Sequence, residues 1–208
     1  MGALRSILCT KWREWRLSWE LHKYGRFTRA EYFRKLGACV GENCAIIPDS
    51  LGTEPWLVRI GNHVTIATGV KFLTHDGATW IFRQETPNLQ GFGTIIIDDN
   101  CVIGENAVLM PNIHIGSGSI VGANSVVMTD VPPDSIVMGV PARVLSTTAS
   151  YKERTHERWQ RQQPPDVTFA EGETWWHSPR AEENARKLRR HLTWYFWERP
   201  AAGSTAEK

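Results

Sequence analysis

The chain has 208 residues, 41% of them hydrophobic and 22% charged, with a formal charge of +2. That length suits one domain of ordinary size, alone or with appendages, and that composition is expected of a soluble globular chain rather than a disordered one. No stretch approaches the ~18 uncharged apolar residues of a membrane-spanning helix, and the basic, tryptophan-rich start lacks the apolar centre of a secretory signal.

Four cysteines, Cys9, Cys39, Cys44 and Cys101, form no CxxC pair and have no companion histidines at zinc spacing. A reduced cytoplasmic protein without a resident metal is the expectation. Charge is unevenly distributed, at +6 over residues 1–36, −6 over 37–147 and +2 over 148–208. Of ten tryptophans only Trp56 and Trp80 fall in the middle segment. Three regions follow: a helical N-terminal region 1–37, a central domain 38–147 and a helical extension 148–208. No nucleic-acid partner is expected.

The N-terminal region carries Leu8, Trp12, Trp15 and Trp19 at helical spacing, with arginines on other faces. Such helices either cap or flank the central domain or, as basic amphipathic helices with tryptophan, lie peripherally in a lipid interface.

The central region repeats every six residues. From Ile97 the frames read IDDNCV, IGENAV, LMPNIH, IGSGSI, VGANSV and VMTDVP, with branched aliphatics at position one and mostly small residues at position five. Further frames in shifted phase begin at Val40 and Ile60. Six fits neither a 3.6-residue helix nor a simple alternating strand. If each hexapeptide is a short strand and a turn, three close a triangular coil of ~18 residues, and coils stack at the ~4.8 Å strand spacing. The branched residue then points inward, the small one fits the corner, and Gly104, Gly116, Gly122, Asn106 and Asn124 lie at turns needing permissive backbone angles.

The rhythm breaks at FLTHDGATWIFRQE, Phe72 to Glu85, and resumes near Ile95. A loop over 73–94 therefore leaves the coil, and long excursions from a compact solenoid are usually functional. His75 and Asp76 stand at its start. After the repeat ends in GVPARVL, a polar helix runs through Arg161, then a proline-rich loop. A last helix follows Ser178-Pro179, an N-cap with proline at the first helical position, and continues through RKLRRHLTWYFW, a segment that either docks on the central domain or, like the N-terminal helix, meets a membrane peripherally.

From Val40 to Val144 the pattern resembles the hexapeptide-repeat acyltransferases, and IVGANSVVMTDVPPDSIVMGVPARV resembles the CoA-side terminus of sugar and antibiotic O-acetyltransferases in that family. The resemblance implies an all-β core, a left-handed parallel β-helix, between N-terminal and C-terminal helical appendages. It also implies acetyl-CoA as acyl donor, a saccharide hydroxyl as acceptor in surface-polysaccharide or related glycan synthesis, and a homotrimer with sites between neighbours. N-acyl transfer to an amino sugar and a non-catalytic scaffold remain the alternatives.

In the galactoside, maltose and nodulation acetyltransferases a comparable excursion follows a general-base histidine, and His75 matches that position. A neutral imidazole suits removal of a hydroxyl proton at cellular pH. Asp76 either fixes the imidazole tautomer or forms the turn. His63, His75 and His114 include no close pair, which argues against the three-histidine zinc site of carbonic anhydrases sharing this fold. By the same resemblance Ala123 meets the pantetheine and Arg143 lies near the nucleotide phosphates. Met128-Thr129 replaces a Thr-Lys pair of relatives, Glu105 stands where a small residue is common, and Ser146 where a second basic one occurs. Trp80 and Arg83, a ring face beside a guanidinium, either hold a saccharide acceptor or serve the loop itself, Trp80 by pinning it to the next subunit and Arg83 as a solvated charge.

Overall fold

The computed structural model describes residues 19–174 and 178–199. Packing divides the chain into two compact units, residues 1–150 and 151–208.

The first unit winds its short strands onto three faces, numbered here in chain order. One face holds β1 (Cys39–Val40), β3 (Val58–Ile60), β6 (Ile95–Ile97) and β9 (Ile113–Ile115). A second holds β2 (Ala45–Ile46), β4 (Thr65–Ile66), β7 (Val102–Ile103), β10 (Ile120–Val121), β12 (Ser135–Met138) and β13 (Arg143–Thr147). The third holds β5 (Lys71–Phe72), β8 (Val108–Leu109) and β11 (Val126–Val127). Neighbours pair in parallel throughout except β12 and β13, which are antiparallel and end the stack.

The register measures the coil. Ile97 lies opposite Ile115, 18 residues on, while Ile60 lies opposite Ile97, 37 residues on. The difference of 19 residues is the excursion that the broken rhythm predicts. Position one of every frame, from Ile97 and Ile103 to Val121 and Val127, is buried. So are the small residues Cys101, Ala107, Ser119 and Ser125, and the Ser119 hydroxyl donates to the Pro132 carbonyl at 2.8 Å, which satisfies it inside the corner.

The turns work partly as expected and partly by a different cause. Asn106 and Asn124 adopt φ of +57° and +56°, as do Asn43, His63, Asn100, Asn112 and Asp134 with φ between +53° and +60°. Asn, Asp and His are the side chains that best tolerate this left-handed region. Gly104, Gly116 and Gly122 are not among the positive-φ residues. Close stacking explains them instead, since a Cβ on Gly104 would lie 2.6 Å from the Ala123 backbone nitrogen of the next coil.

Helix α1 (Arg29–Lys35) covers the starting coil. Tyr32 and Phe33 are buried in the core, and the Arg34 guanidinium donates to the carbonyls of Val40 and Gly41 at 2.8 and 2.6 Å. Arg29 donates to the carbonyls of Ile47 and Pro48. Two arginines thus occupy carbonyl groups that no further coil could pair, the device a solenoid end requires. Most of the tryptophan stripe, Leu8 to Trp15, lies outside the described residues.

The second unit contains most of α2 (Thr148–Gln162), then α3 (Ala181–Thr193) and a π-turn, Trp194–Glu198. Helix α3 starts two residues later than Ser178-Pro179 suggests. The Ser178 hydroxyl accepts from the Arg180 nitrogen at 3.1 Å and holds the approach rather than the first helical turn. Among the described residues no helix is long and apolar enough to cross a membrane.

Candidate active site

His75 follows β5 at the root of the excursion. Its neighbours there are backbone: His75 bridges Phe92 in antiparallel fashion, Gly93 N donates to Thr74 O at 3.0 Å, and Asp76 N donates to Gly91 O at 2.8 Å. The two stems of the loop therefore pair with each other, fixing the histidine's backbone where it leaves the coil. Its side chain remains 42% exposed.

The imidazole is held from below. His75 Nδ1 lies 3.1 Å from Glu54 Oε2 and 3.0 Å from Thr53 Oγ1. Glu54 Oε2 also accepts from Thr74 Oγ1 at 2.5 Å and Thr53 Oγ1 at 3.0 Å, so three donors converge on one carboxylate oxygen. Burial alone would raise the Glu54 pKa. The hydrogen bonds from Thr74, His75 and Thr53, with the charge of His75, outweigh burial and hold it below the ordinary carboxylate range. An ionised carboxylate only accepts, so Nδ1 carries the proton and Nε2 offers its lone pair outward.

Sequence reasoning missed Glu54, Thr53 and Thr74. Asp76, its candidate partner for His75, has its carboxylate turned to the Ala78 nitrogen at 2.8 Å, where it caps the short 3-10 helix Gly77–Phe82. The carboxylate bonded to the imidazole is Glu54's. The signal was available in the period: Glu54 precedes His75 by 21 residues, about one coil, and Gly52 packs so closely under Thr74 that a Cβ there would lie 2.9 Å from Thr74 Oγ1.

Trp80 and Arg83 do come together. The ring is 69% exposed and the Arg83 Cζ sits 4.8 Å from its centroid. The remaining residues lie on later coils. Glu105 and Ala123 are exposed at stacked turns, where Asn124 N donates to Glu105 O at 2.8 Å. Met128 is exposed, while Thr129 and Arg143 line one cavity of about 110 Å³ with Val131 and Ala142. Arg143 Nη1 donates to the Ala142 carbonyl at 2.9 Å. His63 instead occupies a left-handed turn with Nδ1 2.9 Å from Asn100 Oδ1. His114 Nε2 pairs with Asp98 at 2.9 Å. Among the described residues no group of three or more His, Cys, Asp or Glu side chains could hold a metal.

A stacked hexapeptide coil with a carboxylate-held imidazole at the root of its one long excursion defines a class, and comparison with known proteins gives the family. Residues 94–128 match the family described as bacterial transferase hexapeptide (six repeats). Protein CapG of Staphylococcus aureus is 44% identical over 127 residues, covering 60% of this chain and 74% of that one. Galactoside O-acetyltransferase of Escherichia coli K12 is 33% identical, over 44% of this chain and 45% of its own length. Among solved structures, a hexapeptide-repeat acetyltransferase of Vibrio cholerae, VCA0836, aligns with TM-score 0.49 and 28% identity over 68% of this chain and 92% of that one. The chain belongs to the hexapeptide-repeat transferase family.

Proposed function

We propose that this protein is an acetyl-CoA-dependent O-acetyltransferase that acylates a saccharide hydroxyl, in surface-polysaccharide or related glycan synthesis. The observation that carries the reading is the His75–Glu54 contact. With Nδ1 donating to an ionised carboxylate, Nε2 is the base. Acetyl-CoA, a substrate, supplies the activated acyl group. His75 takes the acceptor's hydroxyl proton as the oxygen attacks the thioester carbonyl, and returns it to the departing sulfur. Glu54 stabilises the imidazolium between these two transfers. The name of the galactoside O-acetyltransferase relative supports both the reaction type and the acceptor class.

Donor binding is assigned to the later coils, through Ala123, Thr129 and Arg143, with Met128 and Glu105 at the margin. Gly104 lets the coil bearing Ala123 stack closely on it, and Arg143 supplies a cation for phosphate. Ser146 stands where a second cation would, so the phosphates are held more loosely than in a site with two. Trp80 and Arg83 are assigned to the acceptor, and Asp76 to shaping the turn that presents them. The left-handed winding follows from the family.

Self-association as a homotrimer completes the reading. Ile81 is 73% exposed, with Phe82 and Phe92 also exposed on the excursion, more apolar surface than a loop needs in isolation. A threefold arrangement covers it and sets His75 of one subunit against the donor coils of the next. Light scattering should give three times 23.6 kDa; an active monomer contradicts this part.

The test of the reaction is direct. Purified protein, acetyl-CoA and an oligosaccharide acceptor should release free thiol and yield an acetyl ester labile to hydroxylamine. A hydroxylamine-resistant product would indicate amide transfer, and no thiol release with any hydroxyl or amine acceptor would indicate a scaffold.

A further inference from the structure

Helix α3 and the π-turn after it carry a face that the acyl-transfer reading does not use. Asn184 is buried and Leu188, His191 and Tyr195 are half-buried, so one side of the helix is packed. On the opposite side Arg186, Arg189, Arg190 and Thr193 are exposed at positions i, i+3, i+4 and i+7, a single stripe. The stripe continues into Phe196 and Trp197, the latter 84% exposed. Charge is ordered along the axis: Glu182 and Glu183 in the first turn, cations in the middle, aromatics at the end. Lys187 pairs with Glu183 at 2.9 Å and Arg190 reaches Asp166 at 3.7 Å, and no ion pair is formed by Arg186 or Arg189 among the described residues.

We propose that this arginine–tryptophan face docks on an anionic lipid bilayer, with Phe196 and Trp197 inserted at the headgroup level and the arginines against lipid phosphate. Charge complementarity selects this occupant. A second copy meeting the face through the same patch would set arginines against arginines. A neutral apolar partner would leave the Arg186 and Arg189 guanidinium groups desolvated without counter-charge. Amphipathic rings prefer the lipid–water boundary, where one end is apolar and the other wet, and arginine stems can cover the boundary while their heads stay hydrated. Arg186, Arg189, Arg190 and Thr193 also line a cavity of about 620 Å³ with Pro165, Asp166 and Glu198, so the stripe borders a depression of mixed charge. The proposal is independent of the acyl-transfer reading.

Vesicle flotation of the full chain tests it, with phosphatidylcholine vesicles with and without phosphatidylglycerol as the probe. Binding is expected only to the anionic vesicles and is expected to fall steeply as salt is raised, because the arginines act within a Debye length. Replacing Arg186, Arg189 and Arg190 together with alanine should weaken partitioning on the order of 100-fold, from about 1 kcal/mol for each charge near the surface. Trp197→Ala should weaken it further and at every salt concentration. Transfer activity toward a water-soluble acceptor should be unchanged in both variants, which also shows that they fold. Equal binding to neutral vesicles, no binding to anionic ones, wild-type partitioning of the arginine variant, or loss of self-association by either variant would overturn the proposal, the last by making the face a contact between copies.

Discussion

Glu54→Gln isolates the carboxylate without changing its shape. In the native site three donors converge on Oε2, one of them the imidazole at 3.1 Å. A neutral amide oxygen can still accept these bonds, but each changes from charge-assisted to neutral, and charge-assisted bonds are roughly twice as strong. The bond to His75 is worth about 1.5–2 kcal/mol, at the low end of the charge-assisted range because the 42% exposed ring is partly screened by water, so the loss is roughly half of that, about 0.8–1 kcal/mol. That loss is felt when the imidazole is charged, between the two proton transfers, so it falls on kcat. At 1.36 kcal/mol per tenfold, kcat should drop roughly 4- to 5-fold with both KM values little changed. Thiol release followed continuously gives both constants, and far-UV circular dichroism checks the fold. The double variant with His75→Ala should be no slower than His75→Ala alone, because the carboxylate acts only through the imidazole. Undiminished kcat in Glu54→Gln, or a further loss in the double variant, would refute the positioning role.

His75→Ala should lower kcat at least ~100-fold with stability and donor binding retained, as for loss of a lone general base, and near-native turnover would remove His75 from the mechanism. Arg83→Ala should raise the KM of the acceptor and leave that of acetyl-CoA nearly unchanged, and Arg143→Ala the reverse; equal effects on both substrates would mean that the excursion is structural. Because the Glu54 pKa is held down in the fold, its stabilising bonds are fully present above the ordinary glutamate value of about 4.3 and are lost as pH falls through the lowered value. Acid unfolding of Glu54→Gln should accordingly be less steep than that of the parent below that pH. Gly104→Ala puts a Cβ 2.6 Å from a backbone nitrogen that cannot move aside, and should cost about 1–3 kcal/mol in denaturant titration.

The coil was legible because its demand repeats. Every Ile97-type position meets the same interior and every Ala107-type position the same corner, so six-residue spacing exposes both at once, and the excursion shows as a lapse in the count. Position in a turn does not reveal why a turn residue is there. Asn106 was read correctly from its backbone preference, but Gly104 serves by its missing side chain, a fact about the next coil. Glu54 went unread for the same reason. The sequence puts Asp76 beside His75, whereas stacking puts Glu54 beneath it, and adjacency along an extended strand turns side chains apart while adjacency between coils brings them together. A partner sought one coil back, at 18 to 21 residues, would have been found.

The paired stems of the excursion separate two requirements that most active sites must meet with the same residues. Because Thr74 and Asp76 are tied to Gly93 and Gly91, the chain between residues 77 and 90 begins and ends at a closed gate. Lengthening or rewriting that segment adds only the slow logarithmic cost of a larger loop and transmits no displacement to the imidazole. The coil can therefore keep one reaction while the segment beyond the gate is exchanged, and a new acceptor can be acquired as a cassette rather than by remaking the catalyst.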